Sequence, residues 1–273
     1  MTRNIFVLSG GGSRGAAQVG MLRALLGAGI RPDVVVGASV GAINACSLAH
    51  DPTPERVEQL ADRWMSMRAR DLTGSRASVP GNLVRLRPYL FSSDRLRHLV
   101  ASWIPEQRLE DLAVPAVVAT TNLVTGRAHH HVQGAIGDLL AASAAIPAVF
   151  PPVVLDDGDG PAPHVDAGIS ENLPLSAAAA IARPGDRVFA LDVTKPPAAR
   201  SLRSPLDVLI GSLAISIHHR TSGAFDPGVQ VIGCVLDRSF HCGTMLDFTH
   251  TGTLFRLGEA AAVGALLDAD VSA

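Results

Sequence analysis

Ser39 stands in Gly37-Ala38-Ser39-Val40-Gly41, directly after the β-branched run Val34-Val35-Val36 and ahead of a helix-forming stretch. A serine between glycines at a strand-to-helix turn sits on a sharp elbow. The turn exposes its Oγ and places it at a helix N-terminus, where developing negative charge is favoured. The small neighbours Gly37, Ala38, Gly41 and Ala42 leave room for that backbone. A serine hydroxyl becomes a nucleophile only beside a base. His164-Val165-Asp166-Ala167-Gly168 reads as a short strand ending in an acid and a turn. Asp166 within hydrogen-bond reach of Ser39 would take its proton directly, as a two-residue dyad; its other reading is a cap on the turn. A histidine base backed by an acid is the alternative arrangement. His218, His219, His241 and His250 lie late enough for it, but none sits in a distinctive turn.

A third glycine-rich stretch, Gly10-Gly11-Gly12-Ser13-Arg14-Gly15, lies between a strand and a helix. Backbone without Cβ atoms lets amide groups approach a ligand closely, and at a helix N-terminus those amides face anions. That is the chemistry of an oxyanion hole, with Arg14 adding positive charge nearby. The other reading is a tight turn with Arg14 in a structural ion pair. The stretch satisfies GxGxxG, yet the second strand ends in Gly37-Ala38-Ser39 and not in an acid. Asp33 lies at the wrong end of that strand for a ribose. Ala16 and Ala17 occupy the positions where a phosphate-binding loop needs Lys and Ser or Thr. Nucleotide binding is therefore not expected. His129 and His131, within His129-His130-His131, would share one face of a strand, a pattern more often a polar surface than a metal site. No metal or organic cofactor is expected.

These residues need elements to hold them, and strand and helix patterns alternate along the chain. Asn4 to Leu8 reads as a buried strand. Ala16 to Leu26 reads as a helix with Val19, Leu22, Leu25 and Leu26 at helical spacing, ended by Gly27 and Gly29. The run at Val34 is a second strand, followed by a helix to about Ala49 and a more polar surface helix from Pro54 to Met67. Ala116 to Leu123 and Arg127 to Val132 form a strand pair around Val124-Thr125-Gly126. Ala135 to Ala145 is helical, and Arg187 to Val193 is a strand leading into the loop Lys195 to Pro205. Leu206 to His219 and Thr253 to Leu267 read as helices flanking the strand Val229 to Leu236. This alternation predicts an α/β fold with a mostly parallel central sheet flanked by helices. No repeat or linker divides the chain, so residues 1–273 read as one domain.

Hydrophobic residues make up 47% of the chain and charged residues 18%, enough apolar material for a sizeable core. A formal net charge of -2 supplies no general attraction to nucleic acid or to an anionic membrane. Cys46, Cys234 and Cys242 have neither an even count nor metal-ligand spacing, which points to a reducing compartment. The apolar run Ile5 to Leu8 is too short for a signal-peptide core. Leu139 to Leu155 is broken by Ser143, Pro147, Pro151 and Pro152, which makes it a poor membrane span. A cytoplasmic location follows as the expectation.

Taken together and in this order, the Gly10–Gly15, Gly37–Gly41 and Asp166-Ala167-Gly168 motifs resemble the patatin-like phospholipases, whose pattern is GGGxRG, GxSxG and DGG or DGA. Ala142-Ser143-Ala144-Ala145-Ile146-Pro147 with Phe150-Pro151-Pro152, and Asn172-Leu173-Pro174, resemble the family's blocks on either side of the aspartate. The resemblance covers residues 5–175 clearly and the remainder loosely, through Asp247-Phe248 and the final helix. Ala167 stands where the family usually has glycine. The resemblance implies a three-layer α/β/α fold, a Ser39–Asp166 dyad, an oxyanion hole in the Gly10–Gly15 loop with the amides of Gly11, Gly12 and Ser13, and hydrolysis of lipid acyl esters.

Acyl transfer through the same dyad, as in lipid remodelling or natural-product assembly, is the alternative activity. A lipid-binding module without catalysis is a third. Arg68, Arg70, Arg76, Arg85, Arg87, Arg95 and Arg97 alternate with Leu83, Val84, Leu86, Tyr89, Leu90 and Phe91. Such a segment suits peripheral membrane contact or a lid, and equally a solvated surface.

Overall fold

The computed structural model describes residues 2–73, 89–158, 160–194, 215, 223–237, 239–240 and 243–269. Among these residues, eight strands form one sheet: β1 (Asn4–Leu8), β2 (Val34–Ala38), β3 (Ala116–Asn122), β4 (Ala128–His131), β5 (Val153–Asp156), β6 (Pro161–Val165), β7 (Arg187–Asp192) and β8 (Gln230–Val235). Their order is β5-β6-β3-β2-β1-β7-β8, with β4 also paired to β3. The run β3-β2-β1-β7-β8 is parallel throughout, while β4, β5 and β6 join in antiparallel fashion at one side. The mostly parallel sheet expected from the sequence is present. The antiparallel strand β5 was not expected: four residues between prolines carry too little pattern to be read.

Among the described residues the helices are α1 (Gly15–Gly27), α2 (Val40–His50), α3 (Pro54–Ser66), α4 (Ala69–Thr73), α5 (Asp94–Trp103), α6 (Ile136–Ser143), α7 (Leu175–Ile181) and α8 (Thr251–Asp268). The loop and helix expected over residues 195–219 lie outside the described residues, Ile215 excepted.

Strand geometry decides what each face buries, because successive side chains point to opposite sides. Phe6, Leu8, Val35, Val118, Phe189 and Leu191 face the larger core under α1, α2, α3 and α8. Ile5, Val7, Val36, Val117, Val188 and Ala190 face the other layer, where α7 contributes Ala177 and Ala178. Both faces of the central strands are covered, so their sequences read as unbroken apolar runs and not as alternations.

α1 and α8 approach so closely that a Cβ on Gly258 would overlap the Ala17 carbonyl oxygen, and one on Gly20 would overlap that of Phe255. α3 starts on Thr53, whose hydroxyl accepts from the Arg56 N–H, with Pro54 in its first turn. The sequence placed α3 on the surface, yet it buries Arg56, Val57, Leu60, Ala61 and Trp64 along one face. Cys46 and Cys234 are buried free thiols; Cys242 lies outside the described residues. Among the described residues no helix is long and apolar enough to cross a membrane.

Candidate active site

Parallel strands deliver their C-terminal ends to one edge of the sheet, and the three glycine motifs converge there. Ser39 connects β2 to α2 with φ 53 and ψ −126, a left-handed conformation that costs a non-glycine residue strain. Close packing enforces it: a Cβ on Gly41 would lie 2.5 Å from the Ser9 carbonyl oxygen, and one on Gly37 would be 2.6 Å from Ala42 N. The Ser39 backbone N–H donates to Ser143 Oγ at 2.8 Å, and that hydroxyl donates to the Ala119 carbonyl at 2.7 Å. Ser143, on α6, thus ties the elbow to β3. Ser143→Ala should cost about 1–3 kcal/mol by stranding the buried Ser39 N–H. Urea denaturation of the variant would read this, and wild-type stability would show that the elbow is held by other means.

Ser39 Oγ donates to Asp166 Oδ2 at 2.8 Å, and both residues are buried. Asp166 follows β6 directly. Its N–H donates to the Ala145 carbonyl, its own carbonyl accepts from Thr121 Oγ1, and Oδ1 accepts from the Gly168 N–H at 2.8 Å. The Gly168 bond is a turn cap, and the same carboxylate lies within hydrogen-bond reach of Ser39 Oγ. Burial pushes its pKa up to about 6, against the opposing pull of the Gly168 and Ser39 hydrogen bonds. The group therefore carries a proton at mildly acidic pH and is an ionised acceptor above it. The Ala167 methyl is buried against Ala38 and Ala119, so the pair closes with alanine in the family's usual glycine position.

The Gly10–Gly15 loop offers fewer amides than expected. Gly10 N–H donates to the Asn172 carbonyl at 2.9 Å, and Ser13 N–H donates to the Met245 carbonyl at 2.7 Å. Arg14 N–H turns back to Gly11, and Gly15 N–H to Gly12 and Ser13. Ser13, expected to hold an oxyanion, has therefore already spent its amide. Among the described residues, only the Gly11 and Gly12 amides of this loop make no hydrogen bond. Gly12 has φ 59, a conformation that suits glycine, and its backbone lies against Met245. Arg14 Nε donates to the Val193 carbonyl, which holds the side chain beside the loop.

An apolar pocket opens at Ser39. Val40 and Ile43 of α2, Trp64 of α3, Leu72 of α4, and Leu96, Leu99 and Trp103 of α5 line it, with Ile146, Phe150, Met245, Leu246 and Phe248. Sequence reading missed the roles of Trp64 and Met245, because distant folding brings them here. Leu72, Leu96 and Leu99 do flank or belong to the arginine-rich segment. Of its described arginines, Arg68 donates to the carbonyls of Met65, Ser66 and Met67, and Arg97 pairs with Asp138. Arg76, Arg85 and Arg87 lie outside the described residues.

Of the alternative bases, His250 precedes α8 against the Phe240 ring, while His218, His219 and His241 lie outside the described residues. His129 and His131 do share a face, with ring centroids 4.5 Å apart, beside His164. Thr120 Oγ1 lies 2.8 Å from both His131 Nε2 and His164 Nδ1. Burial and the neighbouring rings push His131 down to about 3, and burial also lowers His164. Among the described residues no group of three or more His, Cys, Asp or Glu is arranged to hold a metal ion.

Residues 6–179 match the family model described as patatin-like phospholipase. Patatin-like phospholipase domain-containing protein 7 of Rattus norvegicus is 31% identical over 189 residues, which are 68% of this chain and 13% of that protein. Lysophospholipase nte1 of Aspergillus terreus is 31% identical over 193 residues, 68% of this chain and 12% of that protein. The chain thus spans only a small part of these relatives. The crystal structure of VipD from Legionella pneumophila has a TM-score of 0.51 at 14% identity, covering 98% of this chain and 67% of that one, a likeness of fold.

Proposed function

The chain belongs to the patatin-like phospholipase family, and from that premise we propose that it hydrolyses esters of apolar acyl chains through Ser39 and Asp166. The observation that carries this reading is the 2.8 Å bond from Ser39 Oγ to Asp166 Oδ2 at a strained elbow beside an apolar pocket.

Asp166 takes the Ser39 proton as Oγ attacks the ester carbonyl. The carbonyl oxygen becomes an oxyanion facing the Gly11 and Gly12 amides, at a site where donors are fixed before charge develops. Collapse of the tetrahedral intermediate breaks the bond to the leaving alcohol, which receives the proton from Asp166. Water then attacks the acyl-enzyme, Asp166 accepts its proton, and Ser39 regains a proton as the acid departs. The acyl chain lies among Val40, Ile43, Trp64 and Phe248, each buried methylene contributing about 0.8 kcal/mol to binding. Phospholipids and lysophospholipids are the substrate class this reading favours. Residues 1–273 act as one domain in it, a reading supported by β7 and β8, which complete the sheet that carries the site.

The test is hydrolysis of a fluorogenic phospholipid and a p-nitrophenyl ester, with a labelled fluorophosphonate as an active-site probe. Turnover of either substrate, with label on the Ser39 peptide, is the expected result. Absence of both would favour a binding module. Acyl product appearing on an added alcohol, and not as free acid, would favour transfer.

A further inference from the structure

A buried chain of hydrogen bonds runs from the pocket wall to the oxyanion loop. Trp64 Nε1 donates to Asn44 Oδ1 at 3.0 Å, and Asn44 Nδ2 donates to Gln18 Oε1 at 3.0 Å and to the Gly15 carbonyl at 3.0 Å. Gln18 Nε2 donates in turn to the Ser9 carbonyl at 2.7 Å. Trp64, Asn44, Gln18 and Ser9 are all buried, with 0–1% of their surface exposed. Each sits on a different part of the active-site framework: Trp64 on α3 in the pocket, Asn44 on the helix that Ser39 begins, and Gln18 on the helix that follows the glycine loop.

The direction of this chain is set at both ends, by the donor on Trp64 and by the acceptor carbonyls of Gly15, Ser9 and Leu191. An indole N–H can only donate, whereas a side-chain amide presents a donor end and an acceptor end. Trp64 therefore fixes Asn44 with its oxygen toward the indole. Asn44 then presents its NH2 to Gln18, and Gln18 is left with its NH2 toward Ser9. The Ser9–Gly10 peptide is held at both edges, its carbonyl by Gln18 and its N–H by the Asn172 carbonyl. A peptide unit is planar, so pinning both edges fixes its orientation. The next peptide is held as well, because Asn172 Nδ2 donates to the Gly10 carbonyl at 3.2 Å. The Gly11 N–H of that same plane is thereby aimed away from Asn172, as an open donor.

We infer that Gln18, Asn44 and Trp64 are positioning residues for the Ser39 reaction: the pocket-wall indole anchors two buried amides that hold the oxyanion loop. This inference rests on the hydrolase reading above. Without the indole N–H, Asn44 Oδ1 is left buried with no donor, and the amides that hold the Gly15 and Ser9 carbonyls lose their anchor on the pocket wall.

The test uses Trp64→Phe, which keeps an aromatic ring in the pocket, and Gln18→Met, which keeps the volume but removes the donor. Rates on short and long p-nitrophenyl esters are normalised to the sites labelled by fluorophosphonate at end-point. Each variant is expected to lower kcat by about tenfold to a hundredfold, with KM changed less than about twofold, on both esters. The double variant should be no slower than the slower single one, because both substitutions break one chain. A Trp64 that acts only by filling space would instead raise KM on the long ester alone. That outcome, or kcat per labelled site at the wild-type value in both variants, overturns the inference while the hydrolase reading stands. A wild type that neither turns over nor labels overturns both.

Discussion

Asp166→Asn is expected to lose about two to four orders of magnitude in kcat and, at pH 8, to melt at a higher temperature than wild type. The loss follows from the base: an amide cannot take the Ser39 proton, although it can still accept from Gly168 and sit beside Oγ. The gain follows from burial. Folding raises the Asp166 pKa to about 6 from the ordinary 3.8. The protonated form therefore favours the fold; that contribution is complete below about pH 3.8 and is lost as pH rises through about 6. At pH 8 the ionised carboxylate is a cost on the order of 2–3 kcal/mol, which asparagine removes. Thermal melts at pH 8 and pH 4 would show the stabilisation at the first and its shrinkage at the second. In wild type, kcat/KM should climb with pH through about 6, as the base ionises. Near-full activity in Asp166→Asn would sink the base assignment and return attention to a late histidine.

Gly258→Ala carries the second large effect, on stability and far from the chemistry. On helix propensity alone the change would help by about 1 kcal/mol. Its methyl group, however, would occupy the space of the Ala17 carbonyl, where the backbones of α1 and α8 nearly touch. Rigid backbone cannot yield as a side chain can, and overpacking of this kind costs about 1–3 kcal/mol or more. The expected net result is a melting temperature lower by several degrees, at about 2–4 °C per kcal/mol for a protein of this size. Gly264→Ala on the same helix has open space around its Cβ and should be neutral or slightly stabilising. Equal melting temperatures for the two variants would show that the helices can slide apart without cost.

Ser39 and Asp166 were legible because their signals are local. A serine between glycines after Val34-Val35-Val36, and an acid at the end of His164-Val165, each announce a turn within five residues. The Gly10–Gly15 loop was legible as a place but not in its amide by amide use. That Ser13 donates to Met245 depends on a residue 232 positions later, and no spacing rule links them. Trp64 read as part of a polar surface helix, since α3 carries Glu55, Arg56, Glu58, Asp62 and Arg63 and its pocket-facing stripe is narrow. Helix α7 went unread because Leu175-Ser-Ala-Ala-Ala-Ala-Ile has composition without period. Strand β5 failed for the opposite reason: its alternation spans four residues only, too few to separate from chance.

The position of β1 in the sheet has a consequence for how such a chain is made. β1 is made well before β7 and lies centrally, with β2 on one side and β7 on the other. β7 begins at Arg187, and the pair is clasped by Arg3 and Asp186, 183 residues apart. When translation has just passed β6, Ser39 and Asp166 have both been made, yet one edge of β1 still presents unpaired backbone. At that stage Ser13 also lacks the Met245 carbonyl that anchors it. Long-range parallel pairing is slow to form and leaves such edges open to wrong partners. The nascent chain thus holds its reacting residues before it holds the frame around them. On the hydrolase proposal, ester cleavage becomes available only once β7 and the Met245 segment have been delivered and docked.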